Sequence, residues 1–153
     1  MKKQQSGFTL VELIMVITVL GILAAFALPR FANFGGEARA ATLQGIAASM
    51  RSASTIVHSA WLATGGVTPV VVEGGEVTVD ALGYPTADAT GIQAAFTVEG
   101  EYTGAVDGTD FVVSADDAPT PANCSVTYTP ASATTATPPV ITPPTVVVTT
   151  TGC

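Results

Sequence analysis

At 153 residues the chain has room for one domain, so its function must rest on a single core plus whatever the termini add. Its formal charge of -7 comes from 5 basic and 12 acidic residues, and no base follows Arg51; this excludes nucleic-acid binding by phosphate neutralisation through the C-terminal part. The 48% of apolar residues are unevenly spread, densest at the start, as in a membrane element joined to an ordinary head.

The first seven residues, MKKQQSG, are polar and basic, and FTLVELIMVITVLGILAAFAL (residues 8–28) follows with one charge, Glu12. At about 1.5 Å per residue this run makes a helix of roughly 32 Å, the thickness of a bilayer's hydrocarbon core. Lys2 and Lys3 then stay cytoplasmic. A secretory signal would have a shorter apolar region ending at a small-residue cleavage site, for which only LAAFAL (residues 23–28) could serve. A plain signal anchor explains the length and flanking charge but not Glu12. A carboxylate in such a span costs about 2.5 to 3.5 kcal/mol at its centre and less near its end, so it calls for a partner. Its own span supplies no cation. A cut between Gly7 and Phe8 would create one: an α-amino group four residues before Glu12, on the same chain and on every neighbouring copy.

The run GFTLVEL (residues 7–13) resembles the processing site of type IV prepilins, with the small Gly7 before the cut, Phe8 at the new N-terminus and Glu12 five residues into the mature chain. The resemblance implies cleavage after Gly7 by a membrane-embedded prepilin peptidase and N-methylation of the Phe8 amine. It also implies subunit assembly through Glu12, inner-membrane pilus assembly machinery as a partner, and a homo-oligomeric extracellular filament. Gly21 and Pro29 fall where such pilins carry helix-weakening residues. Pro29 removes a backbone hydrogen bond, and Gly21 costs about 1 kcal/mol of helix propensity against Ala.

After Pro29 the helix is expected to continue to about residue 64 and to become amphipathic. Leu43, Ile46, Met50, Ala53, Val57 and Trp61 recur at three- and four-residue steps, with Ser49, Arg51, Ser52 and Ser59 outward and Gly65–Gly66 as the stop. Gly35–Gly36 reads either as a flexible joint or as a helix break. His58 has no second ligand at metal spacing and reads as a lone surface or cap residue.

Beyond Gly66, VVVEGGEVTV (residues 70–79) reads as a hairpin with Gly74–Gly75 at its tip. FVVSA, CSVTYT and TVVVTT, from residues 111, 124 and 145, are further strands. Residues 83–112 read as a variable connection. The fold class is therefore α+β, with a long N-terminal helix on a small antiparallel sheet. The expected organisation is a leader (1–7), an apolar transmembrane and filament-core helix (8–29), an amphipathic helix (30–64) and a β-rich head (65–153).

Cys124 and Cys153, 29 positions apart with no CxxC, read as a disulfide in an exported protein. It would close a Pro/Thr-rich loop (124–153) with too little apolar surface to fix itself. In pilins such a loop is exposed, so the resemblance implies contact with surfaces or glycans. The DGTD run (107–110) and Asp116–Asp117 offer hard oxygens to Ca²⁺, although clustered acids usually make a solvated face. Asn123-Cys124-Ser125 matches a glycosylation pattern that a bonded cysteine argues against.

Finer fragments resemble the mannose-sensitive haemagglutinin (MSHA) pilins: PRFANF, EARAATLQGIAASM, GYP followed by ATGI, NCSVTYT, and a Pro/Thr-rich stretch ending in GC. The competing functions are a pseudopilin of a secretion system, against which the cysteine pair argues, and an anchored enzyme. An enzyme would need a convergent nucleophile and base, and one histidine offers neither, so no catalytic residue, cofactor or metal ligand is assigned.

Overall fold

The computed structural model describes residues 8–32, 34–98 and 100–153; Gly7 and the rest of the leader lie outside them. The chain forms two compact units, Met1–Gly35 and Gly36–Cys153.

In the first unit, helix α1 runs over Leu10–Ala32 and passes through both Gly21 and Pro29. Its side chains from Leu10 to Leu28 are almost all exposed. This 19-residue stretch is long and apolar enough to cross a membrane.

Helix α2 spans Phe34–Ala63, so Gly35 and Gly36 lie within a helix rather than at a break. It ends as its sequence dictates. The Gly66 amide donates to Trp61 O at 2.9 Å and the Gly65 amide to Leu62 O at 3.3 Å, with φ of 74° at Gly65 and 87° at Gly66. These are the two bonds of a Schellman motif, which needs a left-handed residue just past the helix.

The head is a four-stranded antiparallel sheet in the order β3-β4-β5-β8. Its strands are β3 (Tyr102–Asp107), β4 (Asp110–Ala115), β5 (Ser125–Thr129) and β8 (Thr145–Thr149). On β4, Phe111, Val113 and Ala115 are buried and their neighbours are not, the period-two signature of a half-buried strand. Phe111 pairs with Tyr128 and Val113 with Val126 across the β4–β5 ladder. Against this face α2 lays Leu43, Ala47 and Met50, and the short helix α3 (Ile92–Ala95) adds Ile92, all fully buried. Each large apolar side chain so buried contributes about 1.5 to 3 kcal/mol. A second cluster joins Val57 of α2 to Val70, Val77 and Val79, over the hairpin of β1 (Val70–Val72) and β2 (Gly75–Val77).

Three expectations change. Val72 pairs with Gly75, so the first hairpin turns on Glu73–Gly74 rather than on Gly74–Gly75. Residues 83–112 are not merely a connection, since they contain α3 and the edge strand β3. The Pro/Thr-rich loop also holds structure: β6 (Ser132–Ala133) pairs with β7 (Ile141–Thr142) before β8 begins. The long apolar helix, the antiparallel sheet and the disulfide between Cys124 and Cys153 are nevertheless those of the α+β type IV pilin fold.

Candidate functional site

The N-terminal helix opens with a local device. The Thr9 amide and hydroxyl both donate to Glu12 Oε2 at 2.8 Å, and the Glu12 amide donates to Thr9 Oγ1 at 3.2 Å. This is a capping box, in which a threonine and a glutamate three residues later satisfy each other's free helix-end donors. Its own span was expected to supply no cation for Glu12; the structure adds that neutral donors of Thr9 hold one of its oxygens, while no cation contacts it among the described residues. The sequence signal, Thr-x-x-Glu before an apolar run, was there to be read. Phe8, just outside the helix, is 94% exposed. At Gly21 an added Cβ would meet no atom within 4 Å, so packing inside this chain does not demand a glycine there.

Asp117 and Cys153 are fastened to α2 by Arg39. Cys124 and Cys153 are bonded, with their Cα atoms 4.8 Å apart. Arg39 donates from Nη1 to Cys153 O at 2.8 Å, and from Nε and Nη2 to the two carboxylate oxygens of Asp117, both at 2.9 Å. The bidentate fork matches the planar carboxylate. It holds the Asp117 carboxyl below the ordinary aspartate value, and Asp117 holds the guanidinium above its own. Gly36 lies beside the same residue: a Cβ there would stand 3.2 Å from the Cys153 carbonyl. Gly152 is also closely packed, with Thr120 O 2.5 Å from where its Cβ would be.

Of the acidic residues considered for Ca²⁺, Asp116 and Asp117 are taken by protein donors, whereas Asp110 Oδ1 is buried without a hydrogen-bond partner among the described residues. Asp107 and Asp110 pair across the β3–β4 hairpin, whose two-residue turn is Gly108–Thr109, with φ of 62° at Gly108. A type II′ turn places glycine at that position. Asp116 accepts from the Thr103 hydroxyl at 2.6 Å, and Asp117 belongs to Arg39. Among the described residues no group of three metal-ligating side chains converges.

His58 is not a lone surface residue. Its ring stacks on Tyr84, with centroids 3.9 Å apart and planes 3° from parallel, and lies 5.9 Å from the Trp61 ring. Its Nδ1 donates to Gly83 O at 3.2 Å, which fixes the tautomer in the neutral ring. Gly83 adopts φ of 79°, and a Cβ there would lie 2.2 Å from the Trp61 ring. The loop carrying Tyr84 is shaped by Asp80, whose Oδ1 accepts from the amides of Leu82 and Tyr84 at 2.8 and 3.0 Å. Asp88 does the same for the next turn, accepting from Thr90 and Gly91. Burial pushes the Asp88 carboxyl up, but the bonds from Thr90, Thr86 and Gly91 outweigh it and hold the group below the ordinary value. These side-chain turns, Arg39 with Asp117, and the histidine stack are long-range or loop features that periodicity does not reveal.

Residues 2–28 match the family described as the prokaryotic N-terminal methylation motif. The chain is 38% identical over 82 residues to the type IV narrow pilus major component PilA5 of Thermus thermophilus, covering 54% of this chain and 53% of that one. It is 31% identical over 86 residues to the type IV major alpha-pilin of Moraxella bovis, covering 56% and 51%. It is 40% identical over 53 residues to a type IV major fimbrial protein FimA of Dichelobacter nodosus, covering 35% and 34%. The matched stretch thus spans about half or less of each of these relatives. No solved structure matches the chain significantly. The methylation motif and the pilin relatives together support the type IV pilin family for this chain.

Proposed function

We propose that the chain is a prepilin that is cut between Gly7 and Phe8, N-methylated on Phe8 and polymerised into an extracellular type IV pilus serving surface attachment. The observation that carries this reading is α1, whose exposed apolar stretch Leu10–Leu28 lies within the matched N-terminal methylation motif, residues 2–28. Burying such a surface needs a bilayer before assembly and other copies of the same helix afterwards. In the precursor the N-terminus is cytoplasmic, on the side of Lys2 and Lys3. Glu12 then pairs with the Phe8 amine of a neighbouring subunit, a cation that exists only after cleavage. Gly21 and Pro29 supply a stretch of α1 that loosens as subunits pack: Gly21 weakens helix propensity and has no packing neighbour within 4 Å of an added Cβ, and Pro29 lacks a backbone amide hydrogen.

The head (65–153) presents the disulfide-closed loop 124–153 outward for contact with a glycan or an abiotic surface. Among pilins the fragments PRFANF, EARAATLQGIAASM and NCSVTYT favour the mannose-sensitive haemagglutinin group.

Intact mass and N-terminal sequencing of protein sheared from cell surfaces test this. The expected product starts at N-methylated Phe8 and is two hydrogens lighter than its reduced form. An uncleaved Met1, or a cut after the apolar run, would overturn the reading in favour of an anchor or a secreted domain.

A further inference from the structure

The second unit contains a half-open cleft that filament assembly does not explain. A cleft of about 210 Å³ lies among Arg51 and Ser54 of α2, Tyr84, Tyr128 of β5, and Pro143–Pro144 between β7 and β8. Two tyrosine rings and two prolines give it rigid apolar walls. The Tyr128 hydroxyl is already committed, donating to Pro85 O at 2.9 Å. The polar groups left for an occupant are those of Arg51 and Ser54.

Both are poised for one. Of the two arginines in the unit 36–153, Arg39 is taken by Asp117, whereas Arg51 has no carboxylate partner among the described residues. Arg51 Nη2 donates to Val146 O at 2.7 Å, which anchors the guanidinium beside the cleft and leaves Nε and Nη1 without partners among the described residues. Ser54 is 4% exposed, and its hydroxyl lies near the Tyr128 phenol but makes no hydrogen bond of good geometry among the described residues. A buried hydroxyl left unpaired costs about 1 to 3 kcal/mol, so a ligand that accepts from it recovers part of that cost.

The chemistry that satisfies a guanidinium and a hydroxyl donor together is an anionic acceptor with two oxygens, and the chemistry that suits the walls is an apolar ring or short alkyl body. The volume equals that of about seven liquid waters at about 30 Å³ each, enough for a single ring and too little for an extended chain. We propose that this cleft binds a small monocarboxylic acid, its carboxylate on Arg51 and Ser54 and its body between Tyr84, Tyr128 and the two prolines. The rest of the head is acidic, which disfavours anions elsewhere and leaves Arg51 as the group that decides.

The test uses the full chain in detergent micelles, titrated with phenylacetate and in parallel with its neutral isostere phenylacetamide, followed by amide NMR shifts. Expected are saturable shifts at Ser54, Tyr84 and Tyr128 with the acid, and binding of the amide roughly tenfold weaker. Arg51→Gln should bring the acid down to the amide's level while leaving the amide unchanged, with the spectrum away from the cleft intact. Equal affinity for acid and amide on the unsubstituted protein overturns the proposal without any variant. So does the lack of saturation by tens of millimolar, or an Arg51→Gln protein that binds the acid as before.

Discussion

The hydroxyl of Tyr128 on β5 donates to the carbonyl of Pro85 at 2.9 Å, tying the floor of the sheet to the loop that carries Tyr84. Both residues are fully buried, so the bond is made away from water. Tyr128→Phe should therefore cost about 1 to 3 kcal/mol at neutral pH, because the Pro85 acceptor is left unpaired in the core. Burial pushes the Tyr128 phenol up to about 12. A folded value raised above the unfolded value of about 10 means a contribution fully present below pH about 10 and lost as pH rises towards about 12. Alkaline melts should show that loss in the parent protein and a shallower one in Tyr128→Phe; identical alkaline curves would contradict this.

The pairing of Arg39 with Asp117 gives a slope at the opposite end of the pH scale. Asp117 is held below its ordinary value by the Arg39 fork, so its contribution is present above about pH 4 and is lost as pH falls through the lowered folded value. Asp117→Asn should melt below the parent at pH 7, and the two should converge in acid. Thermal melts across that range decide it, and a gap that persists in acid would show that the variant acts through packing instead.

Reducing the disulfide reopens a long loop. Cross-linking residues 29 apart stabilises by about 3 to 4 kcal/mol in the chain-entropy treatment. Melts with and without reductant, or of Cys124→Ser with Cys153→Ser, should show a loss of that order. Arg39 would still grip the Cys153 carbonyl, so adding Arg39→Ala to the double serine variant should lower the melting temperature further.

Glu12 has two separable duties, since one of its oxygens caps α1 through Thr9 while its charge is available to a neighbouring amine. Glu12→Gln keeps an acceptor for Thr9 and removes the charge. On the assembly proposed above, the variant should still be cut after Gly7 and accumulate in the membrane while surface filaments are lost. Fractionation with N-terminal sequencing reads both outcomes, and normal filament yield would remove the charge pairing from the mechanism.

What the sequence made legible follows from periodicity and length. The exposed span Leu10–Leu28 was legible from its length and unbroken apolarity, the stripe from Leu43 to Val57 and strand β4 from a repeat that matches their burial, and β5 and β8 from their β-branched and aromatic runs. β3 was not, and the reason is Gly104: a Cβ there would sit 2.5 Å from the Phe111 ring, so the strand gives up a side chain to make room. As an edge strand it also keeps mostly exposed positions, leaving little alternation to detect. The small β6–β7 pair hid in a stretch whose composition suggested no order. His58 with Tyr84, and Arg39 with Asp117, join residues 26 and 78 positions apart, and no local pattern specifies such partners.

The bond from Arg51 to Val146 bears on how copies of the head avoid one another. β8 borders the sheet, and an uncovered border strand is a template on which another chain can add by backbone pairing. Here a helix side chain occupies the Val146 carbonyl, and two prolines, which have no amide hydrogen to offer, stand immediately before the strand. This border of the sheet, opposite the edge strand β3, thereby offers one backbone acceptor fewer and no proline amide to a strand of another chain.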